Sequence, residues 1–371
     1  MDLMGIINLY ESEELLHEIT QHRPLAAVPF GGRYRLIDFA LSNMVNSGIT
    51  NVGILFQHKY RSLMDHLRSG KEWDLARKRD GLALLTPAHA AYPQQPLYGG
   101  DVSNFHSNLD YIRYSRQKYV VVSGSGMVCN INYKPVLQFH ENTGADVTVI
   151  YTDQDCTGDY AGAVLINIDA NGLVADMEVA AGSTKLSSVS LGMYIMERQL
   201  LIDLIEECMA RGGYDFVKHC LIKNMERLKI FGCLHKGYVG RIYSLSSYFQ
   251  RSMDLLSPAV WRELFFGPGL IYTKVKDEPP SKYMNSARVT SSLIAGGCEI
   301  EGTVENSILF RGVTVGKGVH IKNSIIMQKS VIDSGALLDQ VICDKNVHIT
   351  KDRQLKGDCS YPLVIKKGMV V

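Results

Sequence analysis

The residues best suited to chemistry lie close to the start of the chain. Gly31-Gly32 precedes Arg33 and Arg35, so two guanidinium groups stand beside a turn whose backbone N–H groups can face an anion. Lys59 and Arg61 could add charge from the segment after Gln57-His58. These cations form a candidate effector or anion site; the alternative reading is surface salt bridging. Upstream stands the acidic run Tyr10-Glu11-Ser12-Glu13-Glu14-Leu15-Leu16. Its plain structural reading is a solvated first turn of a helix, where carboxylates suit the macrodipole. Asp101, Asp110, Asp153, Asp155 and Asp159 could in principle supply a metal site. Asp153 to Asp159 read equally as a polar loop after a strand that ends at Tyr151.

The bulk properties exclude several classes. The chain has 371 residues, is 46% hydrophobic and carries a net charge of +1, so two or three domains with sizeable cores are expected. Arg77-Lys78-Arg79 is a short solvated basic patch, not the stripe that nucleic acid requires. The eight cysteines are scattered and show no CxxC or His/Cys ligand spacing, which argues for free thiols and against structural zinc. Met1-Asp2-Leu3-Met4 lacks the basic and apolar regions of a signal peptide, and no apolar run reaches membrane-span length. A soluble, cytoplasmic protein is expected.

The elements that must position those residues alternate between strand and helix. Short apolar, β-branched runs occur at residues 51–56, 82–86, 119–123, 147–151 and 163–168. Helical patterns lie at 38–47, 62–69, 103–115 and 133–142. Continuous apolar strands separated by helices predict an α/β fold, a doubly wound, mostly parallel sheet buried on both faces. The clearest helix spans 198–211, with one apolar stripe and a Gly212-Gly213 stop. A second pattern at 246–257 ends at Pro258, and Gly267-Pro268-Gly269 and Pro279-Pro280 mark a connector. The boundaries read as a first domain at 1–257, a linker at 258–287 and a second domain at 288–371.

That second domain has a different rhythm. Val313, Val319, Ile325, Val331, Leu337, Cys343, Ile349 and Leu355 recur every six residues, and Ile294 and Ile300 share the period in another phase. This is the sign of a left-handed parallel β-helix of hexapeptides, with each apolar residue facing inward and Gly312, Gly316, Gly318, Asn323 and Gly335 at corners. Its end coils and flanks carry unpaired edges that another chain or domain would cover. Such coils also occur in acyltransferases, whose catalytic histidine would here be His320 or His348; both read rather as surface side chains.

Residues 28–49, Asn108-Leu109-Asp110, residues 119–124, Gly192-Met193-Tyr194, residues 253–258 and the hexapeptides together resemble the sugar-nucleotide pyrophosphorylases, in particular ADP-glucose pyrophosphorylase (glucose-1-phosphate adenylyltransferase). The resemblance covers nearly the whole chain. It implies a nucleotidyltransferase, Rossmann-like first domain, and phosphoryl transfer with Mg²⁺ between ATP and glucose 1-phosphate in glycogen biosynthesis. It also implies a tetramer through both domains, with an effector site between them.

The chain departs from that pattern wherever phosphate or metal is handled. The Gly-rich phosphate loop is replaced by Glu11, Glu13 and Glu14, whose side chains and charge oppose phosphate. Leu25 stands for a lysine. Residues 99–104 keep one glycine of the nucleotide segment. Ser125 and Tyr238 stand for the two metal-binding aspartates, and Met177-Glu178-Val179-Ala180 stands for the sugar-phosphate Glu-Lys-Pro. A hydroxyl does not replace a carboxylate for Mg²⁺. With these losses the chain resembles the non-catalytic GlgD-type subunits of some Gram-positive bacteria. The expected protein is a regulatory subunit with no cofactor of its own, assembled as a heterotetramer with a catalytic partner that uses Mg²⁺. A phosphorylated sugar is the expected effector. The alternatives are a weakly active enzyme with a rearranged site and a sugar-phosphate-sensing binding protein.

Overall fold

The computed structural model describes residues 1–56, 58–86, 100–153, 161–180, 188–358 and 360–371. Strand Leu3–Asn8 is buried throughout and lies in the middle of a nine-stranded sheet. It pairs in parallel with Asn51–Leu55 on one side and Tyr119–Ser123 on the other, and Gly81–Leu85 extends the parallel run beyond Asn51–Leu55. Alternate side chains feed two cores, as a doubly covered sheet requires. Leu3 and Ile7 pack with Ile37, Leu41 and Met44 of helix Leu36–Asn46. Met4 and Ile6 pack in the second core, which also holds Phe105, Leu204 and Ile205.

The other half of the sheet is antiparallel in part, so the sheet is mixed. Ser188–Glu197 runs antiparallel to Tyr119–Ser123, Val147–Thr152 and Val164–Ile168. It meets so many neighbours because it is ten residues long and bulges between Ser190 and Met193, where Gly192 takes a φ of +66°. Val174–Val179 closes one end, and Ile230–Leu234 pairs in parallel with Val147–Thr152.

Helix starts and stops follow local chemistry. Asp38 Oδ2 accepts the Arg35 N–H at 2.9 Å and so opens helix Leu36–Asn46. The Asn132 side chain accepts from the Lys134 N–H to cap helix Tyr133–Thr143, which ends on left-handed Gly144. The long stripe at 198–211 forms helix Arg198–Ala210. Among the described residues no helix is long and apolar enough to cross a membrane.

The stretch between the two sequence patterns contains helix Pro258–Phe266, opened by its proline, and the first stacked strand, Lys282–Tyr283. From there three five-stranded parallel sheets stack into the left-handed β-helix. One expectation needs correction. Val331 and Leu337 do not face inward; they are 38% and 42% exposed, and Ile332 and Leu338 take the interior places. The cause is coil length. Val315 stacks on Ile332 and Ile332 on Ile349, a spacing of seventeen residues and not three hexapeptides. A seventeen-residue coil slips one residue per turn against three hexapeptides, so the six-residue phase falls on outward places at Val331 and Leu337 and on inward ones again at Cys343 and Ile349. The corners stack as columns: Asn306, Asn323 and Gln340 all hold positive φ, as do Gly312, Lys329 and Asn346. A serine column ties the coils together: Ser307 Oγ accepts from Ser324 N–H at 3.0 Å, and Ser324 Oγ from Val341 N–H at 3.1 Å.

The β-helix is packed against the first domain through one apolar cluster, in which Phe30, Phe39 and Phe265 meet Ile308, Phe310 and Ile342. Gly31 and Gly32 both have positive φ, and a Cβ on Gly32 would lie 3.9 Å from the Leu309 carbonyl oxygen. The Gly-Gly turn therefore brings the arginines that follow it to the seam between domains.

Candidate functional site

Two sites emerge: a cleft beside the strand Tyr119–Ser123, and the seam. The cleft has a volume of about 440 Å³ and is lined by Glu11, Glu14, Gly124, Leu191, Arg241 and Tyr243, among others. Its floor is closed from within. Glu11 Oε1 accepts the Ser125 hydroxyl at 2.8 Å and also the Ser125 backbone N–H. A Cβ on Gly124 would sit 2.8 Å from that same oxygen, so the glycine gives Glu11 its room. Burial pushes the Glu11 carboxyl above the usual carboxylate range, against the lowering effect of these hydrogen bonds. Glu11 and Ser125, two of the degenerate positions, are thus brought together.

The acidic run is not a solvated helical turn, apart from Glu14. Glu14 opens a short 3-10 turn, Glu14–Leu16, in which Glu14 and Leu15 are exposed and Leu16 is buried. Glu13 turns inward: Oε1 accepts the Leu25 N–H at 2.8 Å, and Oε2 pairs with Lys59 Nζ at 2.7 Å. Lys59 also donates to the Thr20 carbonyl at 3.0 Å. The 3-10 turn runs into one short α-helical turn, His17–Thr20, and the inward carboxylate of Glu13 satisfies the Leu25 N–H and the Lys59 ammonium instead of that helix's terminus. Leu25 is buried in the seam cluster with Leu16 and Val28.

Tyr238 lies apart from Ser125. Its hydroxyl donates to Asp254 Oδ2 at 2.8 Å, an oxygen that Arg251 also binds at 2.8 Å. Its backbone N–H donates to Glu263 Oε1 at 2.6 Å, and it lines a separate small cavity. The side chain of this segment that does reach the cleft is Arg241, which sequence reasoning did not single out. Its guanidinium lies 4.2 Å from the Tyr243 ring centroid and donates to the Ala161 carbonyl at 2.7 Å.

Of the aspartates offered for a rearranged metal site, the three among the described residues are not assembled. Asp101 accepts the Phe216 N–H at 2.8 Å, and burial lifts its carboxyl to about 7. Asp110 pairs with Arg113 at 3.3 Å on an exposed helix face. Asp153 accepts the Ser188 hydroxyl at 2.7 Å. Asp155 and Asp159 lie outside the described residues, as does Gly99 of the nucleotide segment. Among the described residues no three His, Cys, Asp or Glu side chains gather as a metal site would need. His320 and His348 sit on the coil surface, 3.3 Å from Glu305 and 2.8 Å from Asp333.

The seam collects cations from distant parts of the chain. Arg23 is buried; its Nε donates to the Ile19 carbonyl at 2.8 Å and its guanidinium pairs with buried Asp344 of the β-helix. Arg35 NH1 donates to the Ser62 carbonyl at 2.7 Å, and burial lowers its guanidinium to about 10. Lys345 is depressed to about 6, first by burial and then by the Arg35 and Arg23 charges. Lys276 is lowered by burial and by Arg311 and Arg35, and Arg311 by burial and Arg33. Burial is the first cause of each shift, and a neighbouring cation adds to every one. Arg33 is exposed at the rim, against the Tyr34 ring at 5.4 Å. Of the four cations expected to act together, Arg33 and Arg35 reach the seam, Lys59 is held by Glu13, and Arg61 is an exposed first residue of helix Arg61–Leu67. Arg23, Lys276, Arg311 and Lys345 had no sequence signal, since only the fold brings them together.

Residues 14–256 match the nucleotidyl transferase family, and residues 279–360 match the GlmU-like C-terminal hexapeptide family. The chain belongs to the nucleotidyl transferase family. It is 41% identical to the glycogen biosynthesis protein GlgD of Bacillus subtilis (strain 168), over 99% of this chain and 96% of that protein. It is 42% identical to GlgD of Geobacillus stearothermophilus, over 99% and 97%. It is 31% identical to the glucose-1-phosphate adenylyltransferase of Desulforamulus reducens, over 95% and 90%. This member therefore stands among the GlgD proteins and the glucose-1-phosphate adenylyltransferases, on a shared nucleotidyltransferase-plus-hexapeptide architecture.

Proposed function

We propose that this chain is a non-catalytic regulatory subunit of ADP-glucose pyrophosphorylase in glycogen biosynthesis, acting on a catalytic homologue. The observation that carries the reading is Glu11. A carboxylate sits on the backbone donor of Ser125, where a phosphate-handling site would keep donors open and a metal carboxylate in place. The family scaffold around it is intact. The regions 1–257 and 288–371, joined by 258–287, act as two units, both in contact with the partner in a heterotetramer that uses Mg²⁺ only in its catalytic subunits.

Co-expression with a full-motif homologue from the same cell tests this. The two chains are expected to co-purify, and the catalytic chain's substrate affinity or maximal rate is expected to change by about tenfold, the scale of an ordinary allosteric coupling. Separate elution with unchanged kinetics would sink the proposal.

The seam is the proposed effector site, with Arg33 and Arg35 reinforced by Arg311 and Lys276, and by Lys345 once a bound anion restores its proton. Several cations without an equal number of carboxylates make a seat for a multiply charged anion. A sugar bisphosphate is expected to raise the melting temperature of the chain, and Arg33→Ala to abolish most of that rise. A flat response to every phosphorylated sugar tried would count against it.

A further inference from the structure

We infer that the cleft of this chain binds a neutral, hydroxyl-rich ligand of one or two sugar rings and discriminates against phosphorylated ones. The cleft's volume of about 440 Å³ lies within the range of small-molecule sites. Its polar inventory is wrong for an anion. Behind the wall, the Ser125 N–H and hydroxyl are both given to Glu11, so neither is offered to a ligand in the cleft. Glu14 adds a second carboxylate to the wall, and Arg241 is the cation set against them. Even with Glu11 protonated, the described residues of the wall carry one carboxylate and one guanidinium, without the positive surplus that a phosphate dianion needs. Arg241 is also braced against Tyr243 and the Ala161 carbonyl, not extended into open space.

What remains suits hydroxyl groups. Glu14 accepts O–H donors, and Leu191, Met127 and Ile242 offer apolar surface to the C–H face of a ring. Gly124, Gly126, Gly162 and Gly192 allow that ring to come close to the backbone. The inference shares Glu11 with the regulatory reading, yet the two fail separately. Loss of co-purification would leave ligand binding untouched, and absence of binding would leave assembly untouched.

The test is calorimetric titration of the purified full-length chain with maltose, with methyl α-glucopyranoside and with glucose 1-phosphate. Maltose is expected to bind at least about tenfold more tightly than glucose 1-phosphate at the cleft. Ser12→Trp, at an exposed lining position, marks which binding belongs there: it is expected to abolish the maltose signal with the melting temperature unchanged. Glucose 1-phosphate binding that persists in that variant belongs to the seam. Glu11→Gln is expected to keep the maltose preference at about tenfold, because Glu14 still balances Arg241 in the wall; collapse of the preference in that variant would overturn the charge argument. The inference is overturned if maltose shows no saturable binding at tens of millimolar. It is equally overturned if glucose 1-phosphate binds as tightly as maltose and loses that binding in Ser12→Trp.

Discussion

Supplied with ATP, Mg²⁺ and glucose 1-phosphate, the purified chain is expected to release pyrophosphate at least about four orders of magnitude more slowly than a homologue with intact motifs. The magnitude comes from charge. Metal and cationic stabilisation of a phosphoryl-transfer transition state contributes several kcal/mol, and each 1.4 kcal/mol is about a factor of ten in rate. Ser125, expected in the place of one metal carboxylate, has its donors engaged by Glu11. Tyr238 is turned to Asp254 and is absent from the cleft wall. Leu25 is buried and apolar. No single change repairs this. Ser125→Asp alone would put a second carboxylate against Glu11, and like charges at hydrogen-bond distance do not both ionise readily. That variant is therefore also expected to stay inactive. A coupled pyrophosphate assay on rigorously partner-free protein checks both: robust turnover from the unaltered chain would overturn the regulatory reading, and turnover from Ser125→Asp would overturn the claim that no single change repairs the site.

Asp344→Ala is expected to destabilise the chain by about 3 to 5 kcal/mol, the cost of removing one partner of a buried ion pair. Arg23 and Asp344 have side chains only 5% and 3% exposed, one in each domain. Without Asp344, the Arg23 guanidinium would be left buried beside Arg35 and Lys345, which already repel it. Urea denaturation should show the midpoint falling with the slope little changed. A loss below about 1 kcal/mol would place the pair in the solvated, weak class. Asp344→Asn keeps a hydrogen-bond acceptor for Arg23 and should fall between the two. If both variants behave alike, packing and not charge fixes the seam.

Much of the fold could be read from residue patterns because its signals are local. Helices at 38–47, 133–142 and 198–211 carry their own stripes and stops, and they occur within a residue or two of those bounds. The six-residue period disclosed the β-helix. It misplaced Val331 and Leu337, because a period fitted across the whole domain does not register a corner one residue shorter. The antiparallel strand Ser188–Glu197 was hidden for another reason: direction is set by tertiary pairing, not by any residue in the strand. The site divided in the same way. Glu11 and Ser125 could each be singled out as departures from a family pattern, yet nothing in the sequence says that one bonds the other across 114 positions. The inward turn of Glu13 onto Leu25 and Lys59 was equally invisible. The cations of the seam are spread from Arg23 to Lys345, and no spacing rule connects them.

The Arg23–Asp344 pair spans 321 positions of chain. During synthesis at roughly 5 to 20 residues per second, Arg23 waits about a quarter of a minute to a minute before its counter-ion leaves the ribosome. The first domain can complete its sheet in that interval, but its face toward the β-helix stays wet and cationic until the last coils arrive. The join between the two halves is thus a late event in the birth of each molecule, and a chain truncated within its final coils would be left with a finished sheet and an unclosed flank.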